Sequence, residues 1–257
     1  IDLGSGDDSF GLMNSDISGL SLTKLEGGSG TDTLEIGGGV AGQILSLATL
    51  GATGFENLKG SGEGEVLLGD SGNNVLEGAG GVDIVYGLAG DDTLYASTSS
   101  DHAESTDDWL DGGSGTDTLI GNAGANTLDG GTGKDTLTGW AGSDTFVLRA
   151  GDGSATLADA DVITDFQDGT DVFSLDDVSY SDLVIAQGVG GNSSSTIISR
   201  SGEYLAILQG VSASSISYLD FINANAPDSG TSADDVLIGT TAGDTLIGGG
   251  GGDTILG

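Results

Sequence analysis

Cysteine is absent from this chain of 257 residues, and proline and histidine occur once each. Without cysteine there is neither a disulfide framework nor a thiolate metal site, which suits an extracellular protein held together by something else. Basic residues number five, Lys24, Lys59, Lys134, Arg149 and Arg200, against 40 acidic ones, so the formal net charge is -35. Such a surface cannot displace counterions from phosphate, which excludes nucleic acid as a partner and disfavours anionic membranes. No apolar run reaches the roughly 20 residues that span a bilayer, so membrane insertion is not expected. No cleavable signal pattern opens the chain either. The lone His102 cannot build an H-E-x-x-H zinc site or serve a G-x-S-x-G triad, and it reads as a solvated loop residue. Aromatics make up 5% of the residues. That leaves little for a conventional core, and this much charge ordinarily keeps a chain unfolded.

What the chain has is glycine, 50 residues of it, in a strict period. From Gly78 it reads GAGGVDIVY, GLAGDDTLY, then an insert ASTSSDH (96–102), then AESTDDWLD, GGSGTDTLI, GNAGANTLD, GGTGKDTLT and GWAGSDTFV. Each block has nine residues, with Asp or Asn sixth and a large apolar residue eighth: Val85, Leu94, Leu110, Leu119, Leu128, Leu137, Phe146. Glycine-rich hexamers turn tightly and cannot hold a helix. The Thr-Leu-x that follows favours a short strand with one side chain inward. Two repeats then close a coil with a strand on each side, and coils stack at about 4.8 Å. The fold class expected is all-β: a parallel β-roll (β-solenoid) of nonapeptide repeats with irregular β-strand caps.

Stacking brings the sixth-position carboxylates of alternate repeats face to face, where two unscreened charges repel by roughly 1–3 kcal/mol. A Ca²⁺ between them reaches both at about 2.4 Å and can take glycine-turn carbonyls as further ligands. If the insert preserves the alternation, Asp92 pairs with Asp117, Asp117 with Asp135, and Asp83 with Asp108. Asn126 then serves as a neutral ligand between Asp108 and Asp144. Glu65 and Asn74 hold the sixth place at the front edge and suggest incomplete sites there. Isolated copies earlier in the chain place Asp8 and Asp32 sixth, and GTSADDVLI, GTTAGDTLI and GGGGGDTIL place Asp235, Asp244 and Asp253 there. The alternative, that these residues merely form turns, does not explain one shared period.

The pattern G-G-x-G-x-D-x-U-x resembles the calcium-binding nonapeptide of the repeats-in-toxin (RTX) proteins. The stretch Arg149 to Val178, with Asp161, Ile163, Asp165 and Phe166 and then Gly169 and Asp171, resembles the segment after the roll in serralysin-type proteases. Asp161 and Asp165 are accordingly either donors to a terminal calcium or edge-strand charges that guard against aggregation. Residues 1–58 read as irregular solenoid coils, 59–147 as the calcium roll, 148–222 as a β-cap, 223–233 (with Pro227) as a linker and 234–257 as the start of a second array. Both ends read as continuing into a longer repetitive polypeptide, whose flanking modules or neighbouring copies would cover the solenoid edges.

No catalytic constellation is visible. The many paired carboxylates follow the calcium period, whereas a glycosidase dyad needs a cleft and one raised pKa. The expectation is a non-enzymatic, calcium-dependent, secreted or cell-surface module, structural or adhesive, such as part of an adhesin, surface layer or extracellular filament. The alternative is the non-catalytic secretion and folding domain of an exported enzyme or toxin. The resemblance also implies type I secretion, with folding outside the cell once calcium is met.

Overall fold

The structure, a computed structural model, describes residues 2–13, 25–47 and 52–222, together with the backbone strands Val236–Ile238 and Thr254–Leu256. Among these residues there is no α-helix, only four single 3-10 turns. Two sheets face each other. The longer has eleven strands, in the order Ser9–Met13, Thr33–Gly37, Asn57–Lys59, Val75–Glu77, Thr93–Tyr95, Thr118–Ile120, Thr136–Thr138, Asp161–Ile163, Glu203–Leu208, Thr196–Arg200 and Val184–Gln187. The shorter has eight, from Gln43–Ser46 through Glu65–Leu68, Ile84–Tyr86, Trp109–Asp111, Thr127–Asp129, Thr145–Arg149 and Val172–Asp176 to Phe221–Ile222. Every pairing in the two sheets is parallel except the last two of the longer sheet, where the chain turns back on itself.

Consecutive repeats alternate between the sheets, so each strand pairs with the one two repeats on: Thr118 sits beside Thr136, and Thr127 beside Thr145. The insert keeps this alternation, because Thr93 pairs with Thr118 and Ile84 with Trp109. Its seven residues widen one turn, between Tyr95 and Trp109, and leave the strands on either side in place. The first coils are longer, with Ser9 beside Thr33 and Thr33 beside Asn57, so the ladder already runs through the irregular amino-terminal segment.

The eighth positions fill the space between the sheets. Leu34, Leu58, Leu76, Leu94 and Leu119 form a fully buried file on one side, and Leu67, Val85, Leu110, Leu128, Phe146 and Phe173 a second on the other. Burying each such side chain stabilises the roll by about 1.5–3 kcal/mol, so a core one residue wide is built from few aromatics. The carboxyl-terminal end replaces leucine by a stack of phenylalanines, Phe166 on Phe173 at 4.6 Å and Phe173 on Phe221 at 5.1 Å. The strands at 236–238 and 254–256 pair in parallel in a sheet of their own.

Candidate metal centre

The sixth-position residues form two ladders, one along each edge of the roll, joined by a repeated hydrogen bond. On one edge the N–H of Asp8 donates to Oδ1 of Asp32 at 2.8 Å, Asp32 N–H to Oε2 of Glu56 at 2.9 Å, and Asn74 N–H to Oδ1 of Asp92 at 2.7 Å. Asp92 N–H continues to Asp117 (2.7 Å), Asp117 to Asp135 (2.8 Å) and Asp135 to Asp161 (2.9 Å). On the other edge Glu65 N–H donates to Asp83 (2.8 Å), Asp83 to Asp108 (2.7 Å), Asp108 to Asn126 (3.2 Å), Asn126 to Asp144 (2.9 Å) and Asp144 to Asp171 (3.0 Å). From Asp32 on one edge and Asp83 on the other, one oxygen of each acceptor carboxylate is therefore fixed by the main chain of the preceding coil.

The second oxygen is a different matter. Oδ2 of Asp8, Asp32, Asp83, Asp92, Asp117, Asp135 and Asp144 is buried and accepts no hydrogen bond. A buried carboxylate oxygen without a partner carries the full desolvation penalty, about 1–3 kcal/mol or more for a charged group. The repeat's first glycine keeps space beside it. A Cβ on Gly112 would stand 2.6 Å from Oδ2 of Asp117 and 2.7 Å from the Gly130 carbonyl oxygen. Gly115 meets a second demand, since its φ of 147° lies in the left-handed region and a Cβ there would strike the Gly90 carbonyl.

The carboxyl pKa values are pushed upward, first by burial and then by neighbouring charges. Burial raises Asp83 to about 8, with the charges of Asp108, Glu65 and Glu104 adding to it. Burial likewise raises Asp135 and Asp144 to about 7 and Asp92 and Asp117 to about 6, each partly offset by the main-chain hydrogen bond. A cation would reverse this by favouring the charged form. The donors are hard oxygens, the set Ca²⁺ prefers. Among the described residues no three acidic or imidazole groups converge on one point. At Asp32, Asp92 and Asp117 a free carboxylate oxygen and a glycine carbonyl stand beside one glycine, and on that chemistry the ladder fits calcium.

Three expected positions behave differently. The Asn126 amide nitrogen donates to the Gly124 carbonyl at 3.0 Å and to Oδ1 of Asp144 at 3.3 Å, while its oxygen accepts the Asp108 N–H. Beside it, the amide of the buried Asn122 donates to Oδ2 of Asp108 at 2.6 Å, and Thr106 donates to the same oxygen at 3.1 Å. Both oxygens of Asp108 thus accept hydrogen bonds within the protein. Asp165 lies off the ladder, its two oxygens accepting the N–H groups of Gly139 (2.9 Å) and Trp140 (2.8 Å). Glu65 caps its own turn through Ser61, whose N–H donates to Oε2 at 3.0 Å. Asp235, Asp244 and Asp253 lie outside the described residues.

Two further ladder members, Glu56 and Asp171, stand outside the expected set. Glu56 had a signal: in GATGFENLK it is sixth and Leu58 eighth, as in any repeat. Asp171 had none of that kind, because its coil spans 27 residues from Asp144 and abandons the glycine pattern.

A parallel roll with buried, half-satisfied carboxylates along both edges defines a calcium-binding β-roll protein. The RTX calcium-binding nonapeptide repeat matches it in four copies, at residues 59–101, 102–137, 120–155 and 229–257, and the chain is an RTX repeat protein whose cofactor is Ca²⁺, several ions in all. Among solved structures it is similar to the extracellular lipase LipA from Serratia marcescens, at 18% identity and a TM-score of 0.38, over 75% of this chain and 45% of that one. It is also similar to the AlgE6R3 subunit of the Azotobacter vinelandii mannuronan C5-epimerase, at 23% identity and a TM-score of 0.27, over 72% of this chain and 92% of that one. The chain thus spans less than half of the lipase's length. No curated protein sequence matches it.

Proposed function

We propose that this chain is a calcium-dependent structural or adhesive module of a secreted protein, folding outside the cell as it binds calcium. The observation that carries the reading is the set of seven buried carboxylate oxygens without a partner, in a chain of net charge -35. Their neutralisation by Ca²⁺ would make folding and metal binding one event. Asp8, Asp32, Asp83, Asp92, Asp117, Asp135 and Asp144 are the ligands proposed, through Oδ2 and neighbouring glycine carbonyls, with Asp161 closing one ladder. Extracellular calcium, at millimolar levels, fills weak sites that cytosolic calcium leaves empty. The repeats are a calcium-binding structural motif, and we propose no catalytic role for the chain itself. Its partners, beyond calcium, would be flanking modules or neighbouring copies at the solenoid ends.

A second reading, the non-catalytic folding domain of an exported enzyme, is supported by the cap: strand Asp161–Ile163 and Phe166 belong to the stretch that resembles serralysin-type proteins. Electron microscopy of the native assembly separates the two. Calcium-dependent fibres, sheets or a surface coat support the structural role; a dispersed particle with a catalytic domain attached contradicts it.

A further inference from the structure

Three departures from the repeat that the calcium ladder does not need meet at one place. The first is the seven-residue insert, whose His102 packs against Trp140 at 4.8 Å and stacks on Tyr95 at 6.2 Å. The second is Trp140 itself. It takes the repeat's second position with φ +72°, a left-handed place that Ala79, Leu88, Gly113 and Gly131 hold in other coils, and it is the one aromatic among them, 49% exposed. The third is the pair Gln167 and Asp165, which clamp the Trp140 main chain: the Gln167 amide donates to its carbonyl at 3.1 Å, and Asp165 accepts its N–H.

From this aromatic group a strip that is polar apart from Ile120 runs across the outside of the longer sheet. Tyr95, Ile120 and Thr138 lie side by side in register, Thr164 bonds Thr138 through the two hydroxyls at 2.8 Å, and Gln209 follows, its N–H donating to the Ile163 carbonyl. Neighbouring strands are about 4.8 Å apart, so the strip is on the order of 20 Å long. It ends in an open cleft of about 440 Å³ lined by Thr164, Asn192, Ser194 and Gln209. That size is ordinary for a ligand site. The lining offers hydroxyls and amides, donors and acceptors alike, and neither a lysine nor an arginine.

We infer that this strip binds a neutral oligosaccharide chain, one sugar stacked on Trp140 and its successors hydrogen-bonded along Thr138, Thr164, Asn192 and Gln209. The C–H face of a pyranose matches an indole face, as stacking on amphipathic aromatics requires. A pyranose unit is also about as long as one strand spacing, so successive sugars meet successive strands. A net charge of -35 with no cation in the cleft argues against an anionic polysaccharide. The site would serve a scaffold and an exported enzyme domain equally, so it does not depend on the choice made above.

The test is titration of the calcium-loaded chain with cellohexaose, maltohexaose and chitohexaose, and with a hexameric oligouronate for comparison, by calorimetry and tryptophan fluorescence. Trp140→Gly supplies the residue its φ favours, so the fold stands, as the unchanged β-sheet circular dichroism spectrum would verify. At least one neutral hexasaccharide should bind, Trp140→Gly should weaken it by about tenfold or more, and Asn192→Ala or Gln209→Ala several-fold. Equal binding by Trp140→Gly, binding of the oligouronate alone, or no binding by any of the four would overturn the inference.

Discussion

Oδ1 of Asp117 accepts the main-chain N–H of Asp92 at 2.7 Å, while Oδ2 of the same carboxylate is buried and has no hydrogen-bond partner. The side chain is thus split between two tasks. One oxygen ties a coil to the coil before it, and the other is left for a cation. Repeated along both edges, this division makes a glycine-rich, highly negative chain able to stack.

Asp117→Ala should damage two functions at once, because the side chain accepts the Asp92 N–H through Oδ1 and presents its unpartnered Oδ2 to a cation, while the main-chain N–H that donates to Asp135 survives the change. The loss should be about 1–3 kcal/mol of stability and should shift the calcium midpoint of folding upward. Asp168→Ala, at an exposed position, should leave both unchanged. Calcium titrations followed by circular dichroism compare the two, and equal effects would contradict the pairing.

Asn126→Asp should add a calcium site to the edge where amides now fill the gap. Its new Oδ2 would replace a nitrogen that donates to Gly124 and Asp144. Equilibrium dialysis should count about one more ion per chain, with a stronger response when Asn122 is also changed to Gly, which leaves the Thr106 hydroxyl as the remaining donor to Oδ2 of Asp108. An unchanged count would show that the amides are not standing in for a cation.

Leu119→Ala removes a side chain fully buried between Leu94 and Leu137. Urea unfolding in saturating calcium should show a loss of about 2–5 kcal/mol. Val189→Ala, 81% exposed in the cap, should stay within about 0.5 kcal/mol of the wild type.

In chelator, the pH dependence should run opposite to that of a protein held by salt bridges. Burial raises Asp83 to about 8 and Asp135 to about 7, above the ordinary 3.8. The folded chain therefore holds protons that the unfolded chain releases, and folding weakens as pH climbs from about 4 to about 8. Calcium-free protein should regain β structure on mild acidification and lose it toward pH 8. With calcium present the affinity should rise over the same interval, because the ions compete with those protons. Stability in EDTA that grows with pH would refute the assignment.

Much of this was legible in the sequence because the nine-residue period carries both the strand and the turn. Leu94, Leu119 and Leu137 lie in register two repeats apart, as the period requires, and Asp92, Asp117 and Asp135 follow. What escaped did so for physical reasons. Glu56 sits in a block whose opening lacks the paired glycines, so the period goes unnoticed although the coil stacks. Asp171 belongs to a coil lengthened to 27 residues, beyond the reach of any nine-residue count. Asn126 shows the limit of composition: whether an amide presents its oxygen or its nitrogen depends on Asn122, Gly124 and Asp144 around it. The role of Trp140 depends on contacts across coils with His102, which no local pattern reports.

The most direct measurement is circular dichroism with small-angle scattering of the purified chain, taken in millimolar calcium and again in excess EDTA at neutral pH. The account predicts a compact β-rich particle in the first and an expanded chain without β signal in the second, restored when calcium returns. A β spectrum and radius of gyration that stay the same in EDTA would contradict it.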